Sequence, residues 1–250
     1  MTTDGRAVLV TGSSRGIGAA IAQAFAANGD RVAVHYSSSS AQADAVHRAL
    51  PGAGHIVVHA DVANAESVRS MVDEVAERLG SVDVLVNNAG IFIPHPIDDT
   101  SYEEWQRAWE QTLAVNLIGA ANATWCAVRH MDRGGRIINI SSRGAFRGEP
   151  TQPAYGVSKA GLVALGQSLA RALGPRGISV TTIAPGFADT DMAAEALAGD
   201  GIQRRSAESP LGRIAQVEEI AAAVVYLASP LAEIATGTVL DLNGASYLRM

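Results

Sequence analysis

Short apolar runs rich in β-branched residues alternate with longer stretches of helical periodicity along the whole chain. Strand-like runs fall at 7–11, 31–36, 55–59, 82–86, 136–141, 178–183 and 238–242. Helical patterns lie between them at 17–28, 41–50, 65–79, within 101–131, 154–173 and 217–228. Several strand runs, such as Val84-Leu85-Val86 and Ile137-Ile138, are apolar at consecutive positions. A strand with one wet face would alternate; these demand cover on both faces. Strand and helix in strict succession predict an α/β fold, a doubly wound seven-stranded parallel sheet with helices on both faces. Gly29, Gly80 and Gly174 stand where three of the helical patterns stop. No linker, repeat or low-complexity block interrupts the series, so residues 1–250 are expected to form a single domain. The least regular stretch, 188–209, is expected to be a lid.

With 48% hydrophobic and 18% charged residues, the chain can bury a large core. A net charge of -6 argues against a general nucleic-acid-binding face. Cys126, the lone cysteine, reads as a small core residue. The apolar run at 220–228 is far shorter than a membrane span. No leader pattern precedes the first strand, so a cytoplasmic location is expected.

The first strand runs into Thr11-Gly12-Ser13-Ser14-Arg15-Gly16-Ile17-Gly18, and a helical pattern follows at once. Glycines between a strand and a helix let backbone approach a dinucleotide pyrophosphate, whose charge then meets the helix N-terminal amides. A plain glycine-rich turn is the alternative. The second strand ends at His35-Tyr36-Ser37-Ser38, and no acidic residue lies between Arg31 and Gln42 to take a ribose 2′-hydroxyl. Hydroxyls at Ser37 and Ser38, with the cation of Arg15, suit a 2′-phosphate instead. NADP(H) is therefore the expected cofactor and NAD(H) the alternative. Asp61-Val62 follows the third strand, placing a carboxylate either at an adenine amino group or at the N-cap of the next helix. Asn87-Asn88-Ala89-Gly90 closes the fourth strand and suits either a ligand across the sheet or the stitching of strands.

Tyr155 and Lys159 lie four residues apart in a helical pattern, which stacks them on one face. A phenol has an ordinary pKa of about 10, and a neighbouring ammonium lowers it by favouring the phenolate. Ser142 follows the run Ile137-Ile138-Asn139-Ile140-Ser141, where a strand end can bring its hydroxyl to the start of Tyr155's helix. Two hydroxyls over one carbonyl can move a proton on or off an alcohol oxygen. Alone, such a Tyr/Lys pair is more often a surface helix pair. The glycine loop and the strand-helix series turn the reading towards chemistry.

With these pieces in this order, the chain resembles the short-chain dehydrogenase/reductases over essentially its whole length. The resemblance rests on the glycine loop, Asn87-Asn88-Ala89-Gly90, Asn116, Ser142, Tyr155 with Lys159, and Pro185-Gly186. The chain is most similar to the branch containing 3-oxoacyl-acyl-carrier-protein reductases, through Ala184-Pro-Gly-Phe-Ala-Asp-Thr-Asp-Met192, Pro210-Leu-Gly-Arg213 and the helix after Glu218-Glu219-Ile220. The resemblance implies a Rossmann fold. It implies that Tyr155 is the proton donor in reduction and the base in oxidation, and that Ser142 holds the substrate oxygen. Lys159 would bind the nicotinamide ribose and lower the tyrosine pKa, and Asn116 would anchor a water leading from Lys159 to solvent. Pro185, Gly186 and Thr190 would flank the nicotinamide, with Asn88 and Gly90 on the adenosine side. The full expected cofactor set is Gly12, Ser14, Arg15, Gly16, Ile17, Gly18, Tyr36, Ser37, Ser38, Asp61, Val62, Asn88, Ala89, Gly90, Tyr155, Lys159, Pro185, Gly186 and Thr190, with no metal. A homotetramer through the helices at 101–131 and 154–173 is implied as well.

The expected activity is NADP(H)-dependent hydride transfer between nicotinamide and a carbonyl or secondary alcohol. A 3-oxoacyl thioester, free or on an acyl carrier protein, is a candidate substrate. The alternative is an NAD-dependent dehydrogenase of a sugar, polyol or other small alcohol. A non-catalytic dinucleotide-binding sensor or scaffold is the alternative of another class, but such proteins commonly lack the tyrosine or lysine kept here. Arg129, Arg133, Arg136 and Arg176 are candidates for a basic rim that meets an acidic carrier. The charged stretch at 143–150 points to a polar or anionic substrate. His55 and His59 read as a structural pair, and His95 as either a substrate contact or a plain loop residue.

Overall fold

The computed structural model describes residues 5–190 and 198–249. Seven strands, β1 (Ala7–Val10), β2 (Arg31–Tyr36), β3 (Ile56–His59), β4 (Val84–Asn87), β5 (Arg136–Ile140), β6 (Ser179–Pro185) and β7 (Val239–Leu242), form one sheet. Every pairing is parallel, and the spatial order is β3-β2-β1-β4-β5-β6-β7. The chain steps outward from β1 to β3, then crosses back to lay β4 against the other side of β1. That reversal opens a crevice at the carboxyl ends of β1 and β4, where ligands of doubly wound sheets bind.

Successive side chains of a strand face opposite ways, so a strand covered twice must be apolar throughout. In β1, Ala7 and Leu9 join Val72, Leu85 and Ile137 on one face, while Val8 and Val10 join Phe25, Val34 and Ile138 on the other. The first face is covered by α3 (Ala65–Leu79), α5 (Ala120–Ala127) and the end of α7 (Pro153–Leu173), through Met71, Ala123 and Ala170. Cys126 is buried in this layer. The second face is covered by α1 (Gly16–Ala27), α2 (Ser40–Ala49) and α9 (Val217–Leu227), through Ile21, Ala43 and Val224. No helix among the described residues is long and apolar enough to cross a membrane.

The helical pattern at 101–131 is two helices. α4 (Tyr102–Leu113) starts on a capping box between Ser101 and Glu104. A π-helical turn, Ala114–Gly119, then leads into α5. Such turns concentrate at functional sites, and this one buries Asn116. It sits close beneath the segment after β3, for a Cβ on Gly119 would stand 2.5 Å from the Val62 carbonyl oxygen. Two short helices, α6 (Gly144–Arg147) and α8 (Gly201–Ala207), were not expected; each is too short to show a period. Of the expected lid, residues 191–197 lie outside the described residues, and α8 occupies part of the remainder.

The Gly119 contact has no slack, because carbonyl backbone cannot swing aside as a side chain does. Gly119→Ala should cost about 1–3 kcal/mol of overpacking, read as a lower urea midpoint. An unchanged midpoint would show that the π-helical turn is free to shift.

Candidate active site

The floor of the crevice is fixed by an exchange of hydrogen bonds between the ends of β1 and β4. Asn88 donates from Nδ2 to the carbonyls of Thr11 (2.9 Å) and Gly12 (3.0 Å). The Thr11 hydroxyl in turn accepts from the backbone N–H groups of Asn88 and Ala89, both at 3.0 Å. Asn87 donates to Asn139 (2.9 Å) and Thr124 (3.0 Å), tying β4 to β5 and α5. Of the two sequence readings of these asparagines, the stitching of strands is what their side chains do.

The glycine loop wraps this junction. Gly12 and Gly16 have φ of +65° and +55°, a region that side chains disfavour. A Cβ on Gly18 would lie 2.3 Å from the Gly12 carbonyl oxygen, so α1 can pack this close only with glycine. The first turn of α1 carries no acid and no capping side chain, which leaves its amides for an anion. Ser14 is half-buried and Arg15 exposed beside them. Thr190 reaches the loop, 3.3 Å from the Cβ position of Gly16. These are the features a dinucleotide pyrophosphate requires.

Sequence reasoning missed His35 as the support of this loop. Its Nδ1 accepts from the Gly12 N–H (2.7 Å), and its Nε2 lies 3.0 Å from the Ala60 carbonyl. This pattern assigns the neutral tautomer with the proton on Nε2. The Ser13 N–H donates to the His35 carbonyl (3.0 Å), and the His35 N–H to Ser13 Oγ (2.9 Å). A polar residue inside an otherwise apolar buried strand was the available signal.

Beyond β2, Tyr36 is half-buried against the His59 ring (5.1 Å), and Ser37 and Ser38 are exposed. His59 bonds to the Ser37 carbonyl (3.0 Å), while His55 accepts from the Val32 N–H (3.1 Å), so both histidines are structural. Asp61 is not the N-cap of α3. That role falls to Asn64, which accepts from the Ser67 N–H (2.9 Å). Asp61 is exposed and accepts from Ala63 N–H (3.0 Å), and Val62 is buried under Gly119.

The end of β5 and the start of α7 bring the remaining candidates together. The Lys159 ammonium is buried and donates to the Ile140 carbonyl (2.8 Å), and Ser141 donates to the Lys159 carbonyl (2.8 Å). The Tyr155 phenol lies beside the Ser142 hydroxyl, and the Phe92 ring packs edge-on against the phenol at 5.1 Å. Asn116 accepts from the Ile91 N–H (2.8 Å) and donates to the Ile91 carbonyl (3.0 Å) and Ser158 (3.1 Å). A Cβ on Gly90 would be 3.4 Å from both Asn116 Oδ1 and Lys159 Nζ. Gly90 thus packs directly against both polar groups. Pro185 accepts from the Arg143 N–H (2.9 Å), and Gly186 donates to the Leu242 carbonyl (2.9 Å), which fixes the β6 end opposite.

One electrostatic expectation is reversed. Lys159 does not bring the phenol below its ordinary value. Burial pushes Tyr155 up to about 12, the Ser142 hydrogen bond opposes this, and the Glu149 charge adds to it. Burial also brings the Lys159 ammonium down to about 8. Both shifts follow from the cost of holding charge away from water.

The charged stretch after Ser142 is neutralised within the fold. Buried Arg143 pairs with Glu208 and donates to Ser246 (2.6 Å), and Arg147 lies 3.4 Å from Glu149 and 3.6 Å from Glu208. Arg205 is a third arginine on Glu208 (2.7 Å), so these ion pairs tie the stretch to the segment after α8. Nor do all four rim arginines form a rim. Arg136 is buried on the Gly134 and Gly135 carbonyls, and Arg176 donates to the carbonyls of Val128 and Met131.

The His35 support implies an acid limit. Burial lowers its pKa from 6.5 to about 4, the bond to the Ala60 carbonyl opposes, and His59 contributes a smaller lowering. Between these values the unfolded chain binds a proton that the native chain refuses. Stability is thus full above pH 6.5 and is lost as pH falls through about 4. The loss should reach about 3 kcal/mol. Urea midpoints across this range should show a step in the wild type that His35→Asn lacks; equal steps would refute the assignment.

A short-chain dehydrogenase family model described as enoyl-(acyl carrier protein) reductase matches residues 12–244. A 3-oxoacyl-[acyl-carrier-protein] reductase of Staphylococcus aureus is 39% identical over 97% of this chain and 98% of its own. An oxidoreductase of Methylorubrum extorquens is 40% identical over 96% of this chain and 97% of its own. The crystal structure of a short-chain dehydrogenase of Burkholderia cenocepacia in complex with NADP superposes with a TM-score of 0.90, at 38% identity, over 97% of this chain and 98% of that one. A short-chain dehydrogenase/reductase of Serratia marcescens gives 0.89 at 37% identity, over 98% and 99%. By these matches across nearly its full length, the chain belongs to the short-chain dehydrogenase/reductase family.

Proposed function

We propose that this chain is an NADP(H)-dependent oxidoreductase acting on a carbonyl or secondary alcohol. The observation that carries the reading is the meeting of Ser142, Tyr155, Lys159 and Asn116 against Gly90. The glycine cradle at Gly12, Gly16 and Gly18 fits a dinucleotide, with Ile17 in the first turn of α1. Ser37 and Ser38, in a stretch with no acidic residue between Arg31 and Gln42, favour the 2′-phosphate, with Arg15 as the glycine-loop cation, in keeping with the NADP in the Burkholderia structure. When bound, the nicotinamide supplies or accepts the hydride.

The side chains would divide the remaining work. Ser142 Oγ holds the substrate oxygen, and Tyr155 Oη gives that oxygen its proton. A phenol held at about 12 stays protonated through neutral pH, which suits the reductive direction. Lys159, anchored on Ile140, binds ribose and restores the phenolic proton. Asn116 fixes the backbone of Ile91 and, through Ser158, the turn of α7 between Tyr155 and Lys159. Pro185, Gly186 and Thr190 would line the nicotinamide side, and Asp61, Val62, Ala89 and Gly90 the adenosine side, over the support that Asn88 gives to Thr11 and Gly12. A 3-oxoacyl thioester is the first substrate to try, given the Staphylococcus relative. Exposed Ile118 (52%), Trp125 (56%) and Val157 (48%) offer the apolar surface for a homotetramer.

Tyr155→Phe should keep NADPH affinity, measured by fluorescence titration, and lose about 10²–10⁴-fold in turnover of acetoacetyl thioester. Retained turnover would overturn the reading. A second expectation follows from Lys159. The quantity kcat/KM for reduction reports the free enzyme, and it should fall as pH rises through about 8, where the ammonium loses its proton. A profile flat from pH 7 to 10 would remove Lys159 from the proton path.

A further inference from the structure

We infer that His95 is a positioning residue for the proton donor, acting as the missing cap of the helix that carries Tyr155. This rests on the reading of Tyr155 given above. The N-terminus of α7 has few partners of its own. Its N-cap residue, Gln152, makes no side-chain capping bond; that side chain is turned to Glu149 (2.8 Å) and Thr151. No acidic residue stands in the first turn. Pro153 has no N–H to satisfy, and the N–H groups of Tyr155 and Gly156 go to the Gln152 carbonyl. The Ala154 N–H, directly before Tyr155, is left over. It donates to His95 Nε2 at 3.2 Å, across 59 residues of sequence.

The imidazole is built for this. Its Nδ1 lies 2.7 Å from the Ile93 carbonyl, which assigns the proton to Nδ1 and leaves Nε2 bare to accept. The His95 N–H donates to the Thr151 carbonyl (2.7 Å), so backbone and side chain grip the same entry to α7. The ring is wedged against Trp105 and Trp109 of α4, with centroids at 5.4 and 6.5 Å. His95 is 1% exposed, and both ring nitrogens face protein partners. One residue thus links the loop after β4, helix α4 and the first turn of α7. The phenol position follows from that turn, and proton transfer is sensitive to small displacements.

Two substitutions separate capping from packing. His95→Phe keeps an aromatic wedge and removes the acceptor. His95→Gln brings an amide oxygen close to where Nε2 stood. The Phe variant should lose about tenfold in kcat, with unchanged KM for NADPH and unchanged NADPH affinity by fluorescence. Amide exchange over residues 153–159 should quicken in the same variant. The Gln variant should recover both kcat and slow exchange. Wild-type kcat in His95→Phe, beside an inactive Tyr155→Phe, would overturn the positioning role alone. Active Tyr155→Phe would instead remove the reading beneath it. If His95→Phe fails to fold, His95→Gln decides: wild-type kcat with slow exchange upholds the role, and lost kcat with slow exchange overturns it.

Discussion

The junction between β1 and β4 is the constraint on which the site depends. Four hydrogen bonds between Thr11–Gly12 and Asn88–Ala89 hold two strand ends that the topology would otherwise let diverge. Each is largely shielded, so losing one partner leaves the other unsatisfied at roughly 1–3 kcal/mol. The glycine loop is built upon this junction, since Gly18 packs on both the Gly12 carbonyl and the Asn88 amide. Asn88 therefore reads better as the rivet under a cofactor site than as a ligand of the cofactor. Gly90, two residues on, is the point where the same segment turns from structure to chemistry.

The chemistry itself is set by desolvation. Lys159 and Tyr155 share a helix face as their spacing requires, yet the ammonium stands 5.7 Å from the ring centre and is bonded to a backbone carbonyl. At that separation its field does not overcome the cost of burying a phenolate. The result is a protonated tyrosine beside a lysine that titrates near physiological pH. That pairing stores a proton at the oxygen of Tyr155 and keeps a second one in reach, an arrangement suited to giving protons to a carbonyl.

The strands and their faces were legible because burial on both sides leaves a local mark, consecutive apolar residues, that needs no knowledge of partners. Ser142, Tyr155 and Lys159 were legible because a strand end and a helical spacing of four fix relative position. What escaped depended on partners far along the chain. His35 reads as one polar residue in a strand, and only the fold reveals that Gly12 and Ala60 lie on either side of its ring. His95 reads as a loop histidine between prolines, and its partner Ala154 belongs to another element. The π-helical turn at Ala114–Gly119 leaves no trace in periodicity, because one widened turn displaces the pattern too little to notice.

The arginines after Ser142 show the same limit in charge rather than position. Read in sequence, Arg143 and Arg147 make a cationic stretch beside the reacting oxygen. In the fold both meet Glu208, which follows α8, and Arg143 and Arg205 lie against the Phe187 ring at 4.9 and 4.4 Å. The C-terminal segment closes over them, with Ser246 on Arg143 and the Tyr247 hydroxyl donating to the Phe146 carbonyl (3.1 Å). A cavity of about 460 Å³ lies against this wall, lined also by Leu211, Ile214 and Ile220. Glu208 takes Arg143, Arg147 and Arg205 together, and Glu149 takes Arg147 as well. These pairs fix three distant segments together, so the stretch at 143–147 acts as a brace behind Ser142.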